Sequence, residues 1–201
     1  GVAASNVSNN SSDMISDISN DSSATATASE LISAEAIIDA TYTMGDNADV
    51  LKVMVAHSTV VKRLKKLNLI DMIPDSEGRI AFQYYLGKLL IEDDNVTTVV
   101  GANRTKYYTY LIGPGALSWA ESLAGINPVA VQRYESQGNG MGVEQLWTRR
   151  QFAMHPNGIK WTDTTVGGEF PSNADLALTA NWLRVYAERK QVPLAFLITN
   201  G

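Results

Sequence analysis

The sequence predicts an α+β fold, a mixed sheet with flanking helices, and two observations carry that prediction. Short runs of β-branched and aromatic residues are interspersed with segments of helical period, and no regular strand-helix-strand repeat orders them as a doubly wound sheet would require. With 201 residues, 45% of them hydrophobic, the chain is long enough for one ordinary domain with an appended segment.

The elements follow in order. Residues 1–28 are mostly Ser, Asn, Asp, Thr and Ala, with Met14, Ile15 and Ile18 as nearly the only large apolar side chains. Such a segment buries too little surface to offset its ordering entropy, so it is expected to be a flexible linker, with residues 29–201 forming the domain. Asn-x-Ser sequons such as those at Asn6, Asn9 and Asn20 are what a Ser/Asn-rich tract produces by chance.

Ser33 is placed to cap a short amphipathic helix whose shared face is Ile37, Ile38, Thr41 and Tyr42, with Gly45 as its left-handed stop. Val50 to Ala56 has the β-branched content of a buried strand. Val60, Leu64 and Leu67 then recur at i, i+4, i+7 while Lys62, Arg63, Lys65 and Lys66 lie largely off that stripe, as in a half-buried helix. Pro74 to Gly78 is a turn, followed by strand-like residues 80–94 and, after a polar break, 106–120. Tyr107, Thr109 and Leu111 alternate with Tyr108, Tyr110 and Ile112, so both faces carry bulk and this strand is expected to be central.

Ser136 to Gly142 holds three glycines in seven residues and is expected to be a mobile loop tip. Residues 146–154 and 158–162 read as strands joined by a tight reversal at His155-Pro156-Asn157-Gly158. Ser172 and Asp175 make a capping-box pattern ahead of a stripe of Leu176, Ala180, Leu183 and Ala187, which predicts a helix running to Pro193. Leu194 to Thr199 is then a final buried strand.

Composition narrows the function. Sixteen basic against 21 acidic residues give a net charge of −5, which disfavours a general nucleic-acid binder. Cysteine is absent, which removes disulfides, thiolate metal sites and thiol catalysis. No apolar run approaches the ~20 residues of a membrane-spanning helix, and no signal-peptide pattern opens the chain. A start at Gly1 rather than Met suggests an excised or processed part of a longer product.

Several groups are candidates for chemistry. His57-Ser58 puts a base beside a hydroxyl, but neighbours at a strand end point to different sides, no G-x-S-x-G elbow is present, and Ser58 stands where a helix N-cap is wanted. Glu92-Asp93-Asp94 offers three carboxylates without the D-x-D-x-D-G loop of a calcium site, so a solvated strand end is the expected reading. His57 and His155 have no zinc-ligand spacing. Lys62, Arg63, Lys65 and Lys66 form a genuine basic patch, and Tyr107, Tyr108 and Tyr110 could stack on bases, although a solvated face and a packed strand account for both. Gly113-Pro114-Gly115 lacks the lysine of a phosphate loop and is expected to be a bend.

Four stretches, LISAEAIIDATYTMGDNADVLKVMVAHSTVVKRLKKLNLID, LIGPGALSW, LWTRRQFAMHPNGIKW and FPSNADLALTANWLRVYAERKQVPLAFLITNG, occur in this order. Together they resemble the C-terminal part of the major capsid (coat) proteins of tailed bacteriophages and related prophages. The resemblance covers about residues 29–201 and rests on the order and wording of all four stretches. It implies the capsid fold first described in phage Hong Kong ninety-seven, here as the axial domain with part of the peripheral domain. The N-terminal arm, extended loop and most of the spine helix of that fold would lie upstream.

The resemblance also implies a structural role in an icosahedral head, with self-association into hexamers and pentamers, scaffolding or portal protein as further partners, encapsidated DNA touched only indirectly, and no membrane. It places the protein in the virion capsid after synthesis in the bacterial cytoplasm, and assigns no catalytic, cofactor or metal residue. Lys62, Arg63, Lys65 and Lys66 are then candidates for pairing with a neighbour's acidic surface, and Gln137, Asn139 and Met141 for contacts near a capsomer centre. Two alternatives stay open: a small hydrolase using His57/Ser58 or Asp93, and a nucleic-acid-binding module.

Overall fold

A computed structural model describes residues 12–74, 80–122 and 127–201. Three α-helices are present among the described residues: α1 (Ala34–Tyr42), α2 (Ser58–Lys66) and α3 (Asn173–Ala177). The strands are β1 (Ile15–Asp17), β2 (Val53–Ala56), β3 (Asp71–Pro74), β4 (Ile80–Tyr85), β5 (Lys88–Glu92), β6 (Thr98–Val100) and β7 (Thr105–Ile112). They continue with β8 (Leu117–Ser122), β9 (Val129–Tyr134), β10 (Val143–Thr148), β11 (Gln151–Pro156), β12 (Ile159–Trp161), β13 (Trp182–Arg184) and β14 (Leu194–Thr199). The α+β reading therefore holds, with strands predominating.

The chain divides into two compact units, residues 1–116 with 157–201, and residues 117–156. The first is built on an eight-stranded mixed sheet of order β1-β14-β7-β2-β5-β4-β3, with β6 also pairing β7. Pairs β1/β14 and β2/β5 are parallel and the rest antiparallel. As expected, β7 is central: Leu111 and Thr109 are fully buried, and Tyr107 packs against the main core. That core sets α1 and α2 on the sheet through Ile37, Ala40, Val60, Val61 and Leu64 against Met54, Leu111 and Leu197. Each such Val, Leu, Ile or Met side chain contributes about 1.5–3 kcal/mol by leaving water. A second cluster, Met14, Ala116, Ile159, Trp182, Val192, Leu194 and Phe196, joins the ends of the unit.

The second unit is two hairpins, β8 with β11 and β9 with β10, and none of its described residues is buried. On the β8/β11 ladder one face carries Leu117, Trp119, Phe152 and Met154, all exposed, with the Trp119 and Phe152 rings stacked at 4.9 Å. On the β9/β10 ladder Val129, Val131 and Leu146 share an exposed face.

Several expectations are corrected. The described part of the expected linker is built into the first unit: β1 pairs β14, Met14 is fully buried, and Asp21 accepts from the amides of Ala102, Asn103 and Arg104 at 2.7–2.9 Å. A few apolar side chains and one well-placed carboxylate suffice to order a Ser/Asn-rich tract; residues 1–11 lie outside the described residues. The strand read over 80–94 is a hairpin, because Leu86 and Gly87 adopt φ of 47° and 71°, the two positive angles of a tight type I′ reversal. The strand read over 146–154 breaks at Arg149, whose amide donates to Pro128, and its halves join different ladders. The turn at Asn157-Gly158 forms, with Gly158 at φ 81°, but β11 pairs β8 and β12 pairs β13, so it closes no hairpin.

The largest correction is the helix expected from the Ser172 cap to Pro193. Its capping box forms, Ser172 accepting from the Asp175 amide and the Asp175 carboxylate accepting from the Ser172 amide, but α3 ends at Ala177. Asn181, fully buried, donates to the Asp175 carbonyl, and the Trp182 indole donates to the Leu176 carbonyl at 2.9 Å. Both carbonyls are thus taken by side chains from downstream, and Trp182 instead enters β13 opposite Trp161, the rings edge-on at 5.0 Å. Tertiary burial of an indole outweighs a propensity worth a few tenths of a kcal/mol per residue.

Candidate assembly surface

At the end of β2 the chain enters α2 through His57, whose φ of −67° and ψ of 149° are those of an N-cap. The cap is His57 itself and not Ser58: its Nδ1 accepts from the Thr59 amide at 3.1 Å, and its carbonyl accepts from Val60 and Val61. Ser58 is the first helical residue, its amide donating to Asp94 Oδ1 at 3.1 Å. Hydrogen bonds from the Ser58 hydroxyl and amide hold the Asp94 carboxyl below its ordinary range.

A serine, a histidine and an aspartate therefore do meet here, yet in an order that cannot transfer a proton. The nitrogen nearest the Ser58 hydroxyl, Nδ1 at 3.5 Å, has its lone pair engaged by the Thr59 amide, and Nε2 lies 3.7 Å from Asp94. The imidazole packs against Tyr107 with the ring centroids 4.9 Å apart and the planes tilted by 52°, which fixes it as part of the core wall.

The acidic run diverges in the same way. Glu92 meets Lys65 at 3.1 Å, Asp93 accepts from the Asn95 amide and side chain, and Asp94 serves Ser58. Among the described residues no three His, Cys, Asp or Glu side chains converge on a metal-sized space. Of the tyrosines considered for stacking, Tyr107 faces His57 and Tyr110 meets Phe196 edge-on at 5.6 Å, so both serve the core.

The basic patch is real but divided. Lys65 is paired with Glu92, and Arg63 is half-buried with its Nε donating to the Ile32 carbonyl at 3.1 Å. Lys62 and Lys66 are exposed, one helical turn apart, and no ion pair holds either among the described residues. Beside them a recess of about 230 Å³ is bounded by Leu31, Thr59, Asn200 and Gly201. Gln137, Asn139 and Met141 all sit on the exposed reversal between β9 and β10, where Asn139 adopts φ 56° and Met141 is 84% exposed.

Sequence reasoning missed the outer face of α1. The buried stripe is Ala36, Ile37, Ala40 and Thr41, continued by Met44, so Ile38 and Tyr42 point outward, Tyr42 66% exposed. Glu35 and Asp39 stand beside them, exposed and also one turn apart. The 36/37/40/41/44 spacing was the signal that would have turned the helix by one position.

Comparison with known proteins assigns the class. The sequence model of a family described as Gp13-like, Major capsid protein 13-like, matches residues 1–193, which places the chain in the class of phage major capsid proteins. The chain belongs to that family. It is 36% identical over 166 residues, 82% of its length, to the major capsid protein of Bacillus phage SPP1, and spans about half (49%) of that relative. Among solved structures it matches the holo-SrpI encapsulin complex of Synechococcus elongatus PCC 7942 with a TM-score of 0.42 and 10% identity, covering 85% of this chain and 50% of the other.

Proposed function

We propose that this chain is a wall-forming part of an icosahedral phage head, corresponding to the axial domain with part of the peripheral domain, and that it works by repeated contact with copies of itself. Family membership over residues 1–193 is the observation that carries this reading. The surface supports it. Trp119 and Phe152 stand exposed on one ladder of the second unit and Val131 and Leu146 on the other, apolar faces of the kind that mark protein contact sites.

In this reading the whole protein forms hexamers and pentamers, and many modest contacts, multiplied by symmetry, stabilise the particle. Lys62, Arg63, Lys65 and Lys66 belong to a contact with a neighbour's acidic surface, and Gln137, Asn139 and Met141 to contacts near the capsomer centre. Scaffolding and portal proteins are the further partners, DNA is enclosed rather than read, and assembly follows synthesis in the bacterial cytoplasm. Electron microscopy of the full-length gene product tests the reading: closed shells or capsomers are the expected result, and a monodisperse monomer under every assembly condition would overturn it.

A further inference from the structure

Helix α2 presents Lys62 and Lys66 at i, i+4, and α1 presents Glu35 and Asp39 at i, i+4. Like charges at this spacing repel and weaken their own helix, so within one chain each pair is unfavourable. Neither pair is neutralised by an ion pair among the described residues, although Lys65, Lys190 and Arg104 nearby in sequence or space all find carboxylates. The two pairs have the same one-turn rise, about 6 Å, and opposite sign.

Each also has an apolar companion. Tyr42 and Ile38 project from α1 beside the acids, and the recess bounded by Leu31, Thr59 and Gly201 opens beside the lysines. An exposed aromatic and a small concavity flanked by cations are the usual parts of an interface anchor, the phenol ring offering its face to a cation.

We propose that the outer face of α1, Glu35 and Asp39 with Tyr42 as anchor, docks on the Lys62/Lys66 face of α2 in a second copy of this chain. The inference rests on the shell reading and names the two halves of one contact within it. Because donor and acceptor faces are different patches of the same chain, the contact is heterologous and propagates head to tail, closing into a ring where the rotation allows. Its charges are exposed, so it weakens as salt rises.

The test uses this 201-residue chain in a 1:1 mixture of ¹⁵N-labelled and unlabelled protein. A carbodiimide joins carboxylates to amines with no added spacer, and mass spectrometry identifies linkages of mixed isotope. The expected linkages join Glu35 or Asp39 to Lys62 or Lys66. Their yield should fall at least tenfold in a Lys62→Glu/Lys66→Glu chain alone and in a Glu35→Lys/Asp39→Lys chain alone. Mixing those two variants should restore coupling, since the reversed α2 of one then faces the reversed α1 of the other; a misfolded chain could not recover in this way. Tyr42→Ala should lower the yield with all charges intact. Mixed-isotope linkages only through other residues, none at any concentration, or no recovery on mixing the two variants would overturn the contact. Intact shells from full-length protein carrying Lys62→Glu/Lys66→Glu would remove the contact and leave the shell reading standing, whereas absence of shells from the unsubstituted protein removes that reading itself.

Discussion

At the scale of single residues, His57 shows how a suggestive pair dissolves once hydrogen bonds are assigned. Adjacency of His57 and Ser58 was legible, and so was the need for a cap; that the imidazole and not the hydroxyl fills it depends on Tyr107 holding the ring, from a strand too distant in sequence for any local pattern to encode. His57→Ala should cost about 1 kcal/mol, the ordinary worth of an N-cap, and His57→Asn should recover most of it in urea denaturation. Arg189 is buried and donates to the carbonyls of Asp13, Val192 and Leu194 and to Thr43. Burial lowers its pKa to about 10, so it is still charged at neutral pH, and Arg189→Ala leaves several buried acceptors without a donor. A loss of about 3–5 kcal/mol is expected by chemical denaturation, with little recovery in Arg189→Lys, which lacks the planar fork. Tyr85 is the converse case: its hydroxyl is buried without a hydrogen-bond partner among the described residues, so Tyr85→Phe should leave the urea midpoint unchanged or raised.

At the scale of elements, legibility followed locality. Helices α1 and α2 and strands β2, β7 and β14 were read from period and composition because each buries a regular set of its own side chains. The segment after Ala177 was misread because Asn181 and Trp182 reach back to the carbonyls that a continuing helix would need, a choice made by Thr165 and Trp161 from elsewhere in the chain. Residues 12–28 are placed for the same reason in reverse, by distant acceptors and donors that no local pattern encodes. Glu30 meets Arg104 at 2.6 Å, and the Arg104 hydrogen bond holds its pKa near 2, while the amides of Asn103, Arg104 and Ala102 lower that of Asp21. Both carboxyls are depressed in the folded chain, so their stabilisation is present above the ordinary carboxylate range and is lost as pH falls toward about 2. The urea midpoint should therefore drop between pH 5 and pH 3, and Glu30→Gln should be less stable at neutral pH but lose less over that interval. Equal pH slopes for the two proteins would show that this tie does not hold the N-terminal segment on the sheet.

At the scale of the whole molecule, the function was legible through the resemblance of four ordered stretches, and composition alone stopped at a domain without an evident reactive centre. What composition hid was the division of labour between the two units. Every described residue of both apolar clusters belongs to residues 1–116 or 157–201, and residues 117–156 contribute no buried side chain among those described. The chain also leaves and re-enters the first unit at one point, because the Asn157 amide donates to the Ala116 carbonyl at 2.9 Å and its side chain to the Gly115 carbonyl at 2.6 Å. A two- to four-residue Gly/Asn turn replacing residues 117–156 would span that gap without strain, and shortening the connection lowers its closure entropy. Such a chain should melt cooperatively with a midpoint within a few degrees of the parent, since a shift of about 1 kcal/mol moves a domain of this size by only ~2–4 °C. It should also fail to enter shells when exchanged into the full-length protein, because the exposed faces around Trp119 and Leu146 are lost with the hairpins. Differential scanning calorimetry and electron microscopy separate the two effects. Collapse of the cooperative transition would mean that the hairpins hold the fold together, and assembly without them would mean that their apolar faces serve something other than the shell.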